Sequence, residues 1–135
     1  MSQLHELAIK LSDAHWEGRY FNCLPMPGAQ EVLQVTVSDQ DEIPIYMTIT
    51  DTQILCIAYL FKTDEVKNEL VDELNEQCLQ LNIPMPLSAF AKIDQQYALF
   101  GALSTSSTFD DIQKELVTLS ENAIEALEAL EDYLK

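Results

Sequence analysis

Histidines and clustered acids are the side chains in this sequence that could hold a metal ion, but their spacing is unsuitable for metal coordination. His5 and His15 are ten residues apart in one predicted helix, about 15 Å along its axis. The acidic cluster Asp39, Asp41 and Glu42 lacks the glycine turn and the distal glutamate of a calcium loop. No two cysteines have the C-x-x-C spacing typical of zinc sites. The sequence therefore predicts no metal site.

Nucleophiles and phosphate-binding loops are equally poorly supported. The hydroxyl-rich run Ser104–Thr108 directly precedes a predicted helix, where such residues cap the helix. Gly101 stands alone in a predicted strand, which indicates a bulge or a close packing contact. Four carboxylates line one face of the last predicted helix, a pattern typical of a solvated face: Glu121, Glu125, Glu128 and Asp132. We therefore predict no catalytic residue, no cofactor and no enzymatic activity.

The charge balance of the chain limits its partners. The 135 residues include 23 acids and 7 bases, which gives a formal net charge of −16. Phosphate backbones and anionic membrane surfaces repel such a protein. We therefore expect neither nucleic-acid binding nor direct membrane insertion, whereas a basic partner protein is compatible with this charge.

Cysteine usage and the N-terminal sequence predict a cytoplasmic protein. No basic start followed by an uninterrupted apolar stretch is present, so we expect no signal peptide. The longest apolar run, Ile54–Phe61, is too short to span a bilayer. Of the three cysteines, Cys56 and Cys78 continue apolar faces and are expected to be small buried hydrophobes. A reduced, cytoplasmic protein fits these features.

The first half of the chain predicts a helix followed by strands. The helix runs from about Gln3 to Ala14, with Ser2 as its N-cap. Pro25–Gly28 breaks the chain, and Tyr20–Leu24 before it is either a short strand or an extended segment. Three strands follow, joined by links so short that they must pair antiparallel: Glu31–Ser38, Ile43–Thr50 and Gln53–Phe61.

The second half predicts two helices around a hairpin. A second helix runs from about Asp64 to Leu81, capped by Thr63, with Val66 as the first residue of its core stripe. Hairpin strands Leu87–Ile93 and Tyr97–Leu103 precede a last helix, Phe109–Leu134, capped by Thr108. The order α-β-β-β-α-β-β-α predicts one α+β domain, residues 1–135, in which helices pack on an antiparallel sheet.

Four residues are candidates for contact with a protein partner. In the last helix, apolar residues spaced by three and four form a seam that suits packing on the sheet. Val117 and Ile124 lie on the flank of that seam, which is wider than one contact requires and leaves room for a partner or a second copy. Met85, held between two prolines, and Tyr97 are the other two candidates.

Three segments resemble the bacterial YjfI family, a family of unknown function. They are DTQILCIAYLF (Asp51–Phe61), LNIPMPLSAFAKIDQQYALFGALS (Leu81–Ser104) and LSENAIEALEALEDYL (Leu119–Leu134). Members of that family are often encoded beside phage-shock-protein-A-like proteins, which implies a cytosolic role near envelope stress. The element order, size and acidity also resemble type III secretion chaperones and YbjN-like domains. These are acidic, typically dimeric binding proteins, and the resemblance implies a polypeptide-binding surface.

The function that best fits these features is a non-catalytic adaptor or chaperone-like module that binds a protein partner or a second copy of itself. A phage-shock-protein-A-like protein is the partner that the family resemblance implies. The alternative is an enzyme or small-molecule sensor with a pocket between sheet and helix, for which His15, Tyr20 and Cys23 are the candidate residues. A structural subunit of a larger assembly is a third hypothesis.

Overall fold

A seven-stranded antiparallel sheet carries the rest of the structure. In this computed structural model, which describes residues 2–40 and 42–135, the strand order across the sheet is β1-β2-β3-β4-β5-β7-β6. The strands are β1 (His15–Trp16), β2 (Arg19–Met26), β3 (Val32–Val37), β4 (Ile45–Ile49), β5 (Ile54–Lys62), β6 (Ala89–Ile93) and β7 (Gln96–Leu103). Asp41, one of the acids considered for a cation, lies outside the described residues. The prediction of an α+β fold with an antiparallel sheet is confirmed.

The helices are α1 (Gln3–Ser12), α2 (Val71–Leu81) and α3 (Phe109–Leu130). α1 and α3 bury their apolar faces against one side of the sheet, in a core shared with alternate residues of β3, β4 and β5. α2 packs with Leu130 of α3 over Phe61 and Tyr97, where β5 and β7 pair. Side chains that alternate along each strand point to opposite faces, so only one face of the sheet is used for this core.

The first helix has its predicted N-cap, Ser2, but ends earlier than expected. The hydroxyl of Ser2 accepts a hydrogen bond from the His5 N–H at 3.1 Å. His15, placed in the same predicted helix as His5, lies beyond the helix, begins strand β1 and pairs with Tyr20. The residues between the two strands, Glu17 and Gly18, have φ values of 49° and 81°. Two positive φ values suit a tight hairpin turn, and this turn makes β1 possible.

Strand β2 extends into the predicted break at Pro25–Gly28 and ends at Met26. Pro25 and Met26 still pair with Leu33 and Val32 of β3. Proline is tolerated here because β1 pairs only with the first two residues of β2, so the outer edge at Pro25 has no neighbouring strand that requires an N–H. The segment Tyr20–Leu24 is therefore a strand, one of the two predicted alternatives.

The predicted start of the second helix is wrong. Residues 63–70 form two 3-10 turns, and Val66 between them is extended, with φ −90° and ψ 136°. Val66 forms a β-bridge with Leu134, and the Lys67 N–H donates to the Tyr133 carbonyl at 2.8 Å. The C-terminal residues hold this segment extended, so the helix begins only at Val71, and α3 likewise ends at Leu130.

The last helix has its predicted cap and a wider buried face than predicted. Thr108 accepts the Asp111 N–H at 3.1 Å. Val117, expected on an exposed flank, is only 5% exposed and belongs to the main core. α3 also contacts β1 and β3, so the additional strands widen the sheet and cover the flank. The expectation that Val117 offers an exposed contact is wrong.

Candidate functional site

The face of the sheet opposite the helices carries a largely apolar surface, in which polar residues such as Gln34 and Thr36 are the minority. One cross-strand row consists of Leu24, Gln34, Tyr46, Ile57, Phe100 and Ala89. The flanking rows are Thr48, Leu55 and Ala102, and Tyr59, Ala98 and Ala91. We call these three rows the open sheet face. None of their residues belongs to either hydrophobic core cluster.

The open sheet face is almost free of charge. Among the strand residues on this side that the structure describes, Lys62 at the end of β5 is the only one with a formal charge. Leu55, Ile57 and Phe100 at its centre are half-buried by their neighbours, and the rings of Tyr46 and Tyr59 lie 5.8 Å apart. In a protein of net charge −16, a neutral face of this extent favours contact with another apolar surface.

A second surface is built around the loop between α2 and β6, residues 82–88, which we call the proline loop. Both of its ends are tied down. The side-chain oxygen of Asn82 accepts the Phe90 N–H at 2.7 Å. The side-chain amide of Asn122 on α3 donates to the Pro86 carbonyl at 2.9 Å and to the Ser88 hydroxyl at 3.0 Å. These bonds hold the loop in one position against α3.

The proline loop borders a cavity of about 270 Å³. We call this cavity the loop groove, and it is lined by Leu81, Pro84, Met85, Pro86, Phe90, Asn122, Glu125, Ala126 and Ala129. Two large apolar side chains of the loop are exposed beside Pro84 and Pro86: Ile83 at 88% and Leu87 at 54%. Leu87 also has a φ of 65°, a strained value for a leucine. The loop thus presents apolar side chains to solvent from a fixed backbone.

The electrostatic environment of the loop groove is negative. Glu125 lines it, and Glu128 is exposed one turn further along α3. The last turns of α2 and α3, where the helix dipoles are negative, both contribute lining residues, and neither turn contains a basic residue. Among the described residues, the one ion pair joins Arg19 and Glu121, at 4.0 Å. Among the described residues, no basic side chain forms an ion pair with Glu125.

A buried carboxyl lies between α3 and the sheet. Glu115 is 2% exposed, and burial raises its pKa to about 7. Its carboxyl group occupies the space beside Gly101, where a Cβ atom would come within 2.5 Å of Oε1. Gly101 is thus a close packing contact, one of the two alternatives predicted for it. Glu115 lies three residues after Ile112 and four before Leu119, so its helical spacing places it next to the predicted seam, and this signal could have identified it.

The four predicted contact residues are not brought together. Met85 lines the loop groove, and Ile124 is partly buried against the main core. Tyr97 is only 4% exposed, its hydroxyl donates to the Asn75 side-chain oxygen at 2.6 Å, and burial raises its pKa. A surface role for Tyr97 is therefore wrong, because α2 covers it. Met85 is the candidate that the structure places at a cavity.

The residues of the alternative pocket are also separated. The rings of His15 and Tyr20 lie 5.7 Å apart on one side of the sheet. Cys23 is on the other side of β2, where burial raises its pKa and a hydrogen bond from Ser12 partly opposes that shift. Within residues 2–40 and 42–135, no three His, Cys, Asp or Glu side chains are grouped to hold a metal ion. No described helix is both long and apolar enough to cross a membrane.

Comparison with solved structures supports the fold. The crystal structure of the ExsC-ExsE complex contains a chain that matches with a TM-score of 0.53 and 11% sequence identity, covering 96% of both chains. At this identity the match shows the fold alone, and it confirms the predicted chaperone-like α+β fold.

Sequence comparison gives the family. The uncharacterized protein YjfI of Escherichia coli K12 is 27% identical over 114 residues, which cover 82% of this chain and 84% of that protein. YjfI of Escherichia coli O157:H7 matches equally well. The profile of DUF2170, described as an uncharacterized protein conserved in bacteria, matches residues 1–134. The predicted resemblance to YjfI is confirmed, and the chain belongs to the DUF2170 family.

Proposed function

We propose that this chain is a non-catalytic, cytoplasmic protein-binding module of the adaptor or chaperone-like kind. The observation that carries the proposal is the open sheet face, which is apolar, nearly uncharged and uncovered by any described helix. Monomeric soluble proteins rarely leave a largely apolar surface of this extent in water. The alternative pocket has less support, since His15 and Tyr20 lie on the opposite side of the sheet from Cys23.

We propose a second copy of the chain as the occupant of the open sheet face. In a two-fold symmetric contact the same patch meets itself, so acidic residues near the symmetry axis would bring like charges together. In a chain with 23 acids and 7 bases, a face whose described strand residues include no acid is well suited to self-association, and the open sheet face is such a surface. A partner of opposite charge would instead be recognised through retained acids.

The dimensions of the face are sufficient for a weak dimer. From β2 to β6 the sheet covers about 24 Å, five spacings of ~4.8 Å, and five or six residues of each strand cover about 18 Å. Two copies would then bury on the order of 1,000 Å², at the lower limit for specific interfaces. We therefore expect a dissociation constant on the order of micromolar.

Sedimentation measurements on wild type and Ile57→Lys test this proposal. Ile57 lies in the central row of the face, so two lysines per dimer would be desolvated there without partners, and the variant should be monomeric. Ile9→Lys is the matched control, because Ile9 is 49% exposed on α1 and away from the sheet face. It should remain dimeric. A wild type that is monomeric up to about 100 μM, or an Ile57→Lys variant that still dimerises, would overturn the proposal.

The proposal also names a specific partner protein. The structural neighbour of this chain was solved in the ExsC-ExsE complex, and this supports a protein-binding role for a chain of the same fold. We propose a phage-shock-protein-A-like protein from the same genome, and a role in envelope stress, as the first case to test. Titration calorimetry with the purified pair should give saturable binding, and no heat of binding would remove this partner from the proposal.

A further inference from the structure

We propose that the loop groove is the docking site for a basic segment of a partner protein that inserts a large apolar side chain. The inference rests on the proposed protein-binding function and assigns it a surface and a partner chemistry. It concerns a different surface from the dimer contact, because no groove residue other than Phe90 belongs to a sheet strand.

The groove is preorganised for binding. Asn82 fixes one end of the proline loop through the Phe90 N–H, and Asn122 fixes the other through Pro86 and Ser88. The two prolines further restrict the backbone between these anchors. A loop already held in its bound shape loses little conformational entropy when a partner docks, which raises affinity without any additional contact.

Apolar anchoring is the first part of the recognition chemistry. Leu81, Met85 and Phe90 supply apolar walls to a cavity of about 270 Å³, which has room for a leucine or phenylalanine side chain. Ile83 precedes the lining residue Pro84 in the chain and is 88% exposed, so its side chain is free to bury apolar area against a docked segment. Methionine in the wall can adapt its shape to the inserted group.

Charge is the second part. Glu125 lines the groove, Glu128 lies close to it on α3, and two helix ends without basic residues add their dipoles. Neighbouring carboxylates on one helix face repel each other, and bound lysine or arginine would relieve that repulsion. An acidic or neutral segment would gain nothing from these groups. A second copy of this chain, at −16, is therefore a poor occupant of the groove.

Selection from a display library of random peptides on the immobilised full-length protein tests the inference. We expect the enriched peptides to share a net positive charge and one large apolar residue. A labelled peptide of the enriched class, followed by fluorescence anisotropy, should bind wild type and lose at least tenfold affinity in Ile83→Ser. In Glu125→Lys the loss should be about five- to tenfold.

Matched controls are available on α1. Ile9→Ser and Glu6→Lys make the same chemical changes at exposed positions away from the groove, and both should bind the peptide like wild type. Enrichment of acidic peptides, no enrichment at all, or equal binding by all four variants would overturn the inference. Peptide binding that is lost in Ile57→Lys but kept in Ile83→Ser would overturn the groove assignment while leaving the protein-binding function intact.

Discussion

The open sheet face and the loop groove are both apolar, but they differ in charge and shape. The sheet face is broad and flat, and Lys62 at its margin is the only charged strand residue on it among those the structure describes. The groove is small and concave, is lined by Glu125, and lies at the C-terminal ends of two helices. In this acidic chain, one apolar surface is therefore nearly free of charge, and the other has acidic residues beside it.

The difference indicates two kinds of partner. Absence of like charge favours contact between a surface and its own copy, whereas retained carboxylates select a partner of opposite charge. The backbone support also differs. Antiparallel ladders fix the sheet face through their registers, while three side-chain hydrogen bonds fix the proline loop. A single substitution can therefore loosen the groove without touching the sheet.

The largest expected effect concerns the helix–sheet core that supports both surfaces. Burial raises the pKa of Glu115 from 4.5 to about 7. Because the carboxyl binds its proton more tightly in the folded state, wild-type stability should fall as pH rises from about 4.5 to 7 and then level off. Between pH 5 and pH 8, the free energy of unfolding of wild type should fall by about 2–3 kcal/mol relative to that of Glu115→Gln. Urea unfolding at both pH values measures the difference.

Glu125→Gln is the control for this experiment, since Glu125 is exposed on the same helix. Its stability should follow wild type across the pH range. An unchanged difference between wild type and Glu115→Gln at pH 5 and 8 would mean that Glu115 titrates normally.

Local signals in the sequence predict most of the elements. Ser2 and Thr108 mark both capped helices, and alternation with short links defines β3, β4 and β5. The errors arise where distant residues pair. Val66 is extended because it pairs with Leu134, 68 positions away, and helical periodicity over residues 64–81 contains no information about that contact.

The candidate surfaces are less predictable from the sequence. The flanking prolines identify Met85, but the burial of Val117 and Tyr97 depends on β1 and on α2 packing over the sheet, which helical spacing does not encode. The open sheet face escapes sequence reasoning although its residues alternate visibly with core residues in β4. An apolar strand such as β5 suggests burial on both faces, and only the cross-strand register reveals that one face is uncovered and uncharged.

A smaller effect is expected for substitution of Asn122, which should change binding at the groove but not dimerisation through the sheet face. Asn122→Ala removes two hydrogen bonds and leaves the Pro86 carbonyl without this donor, which should cost about 1–2 kcal/mol in the free energy of unfolding. The freed loop should bind the selected basic peptide several-fold more weakly, while dimerisation stays as in wild type. Asn68→Ala, at an exposed position, is the control. Unchanged peptide affinity in a destabilised Asn122→Ala would show that loop order does not contribute to binding.

The smallest expected effect is also the one that tests the contrast in charge most directly. Raising ionic strength screens the repulsion between two copies of net charge −16, so dimerisation through the neutral face should tighten. The same change screens the attraction between Glu125 and a basic peptide, so peptide binding should weaken. Over a tenfold increase in salt we expect shifts of about three- to tenfold in opposite directions, measured by sedimentation and by anisotropy. Shifts of the same sign would mean that charge does not distinguish the two surfaces, because no difference in apolar area alone can reverse the sign of a salt dependence.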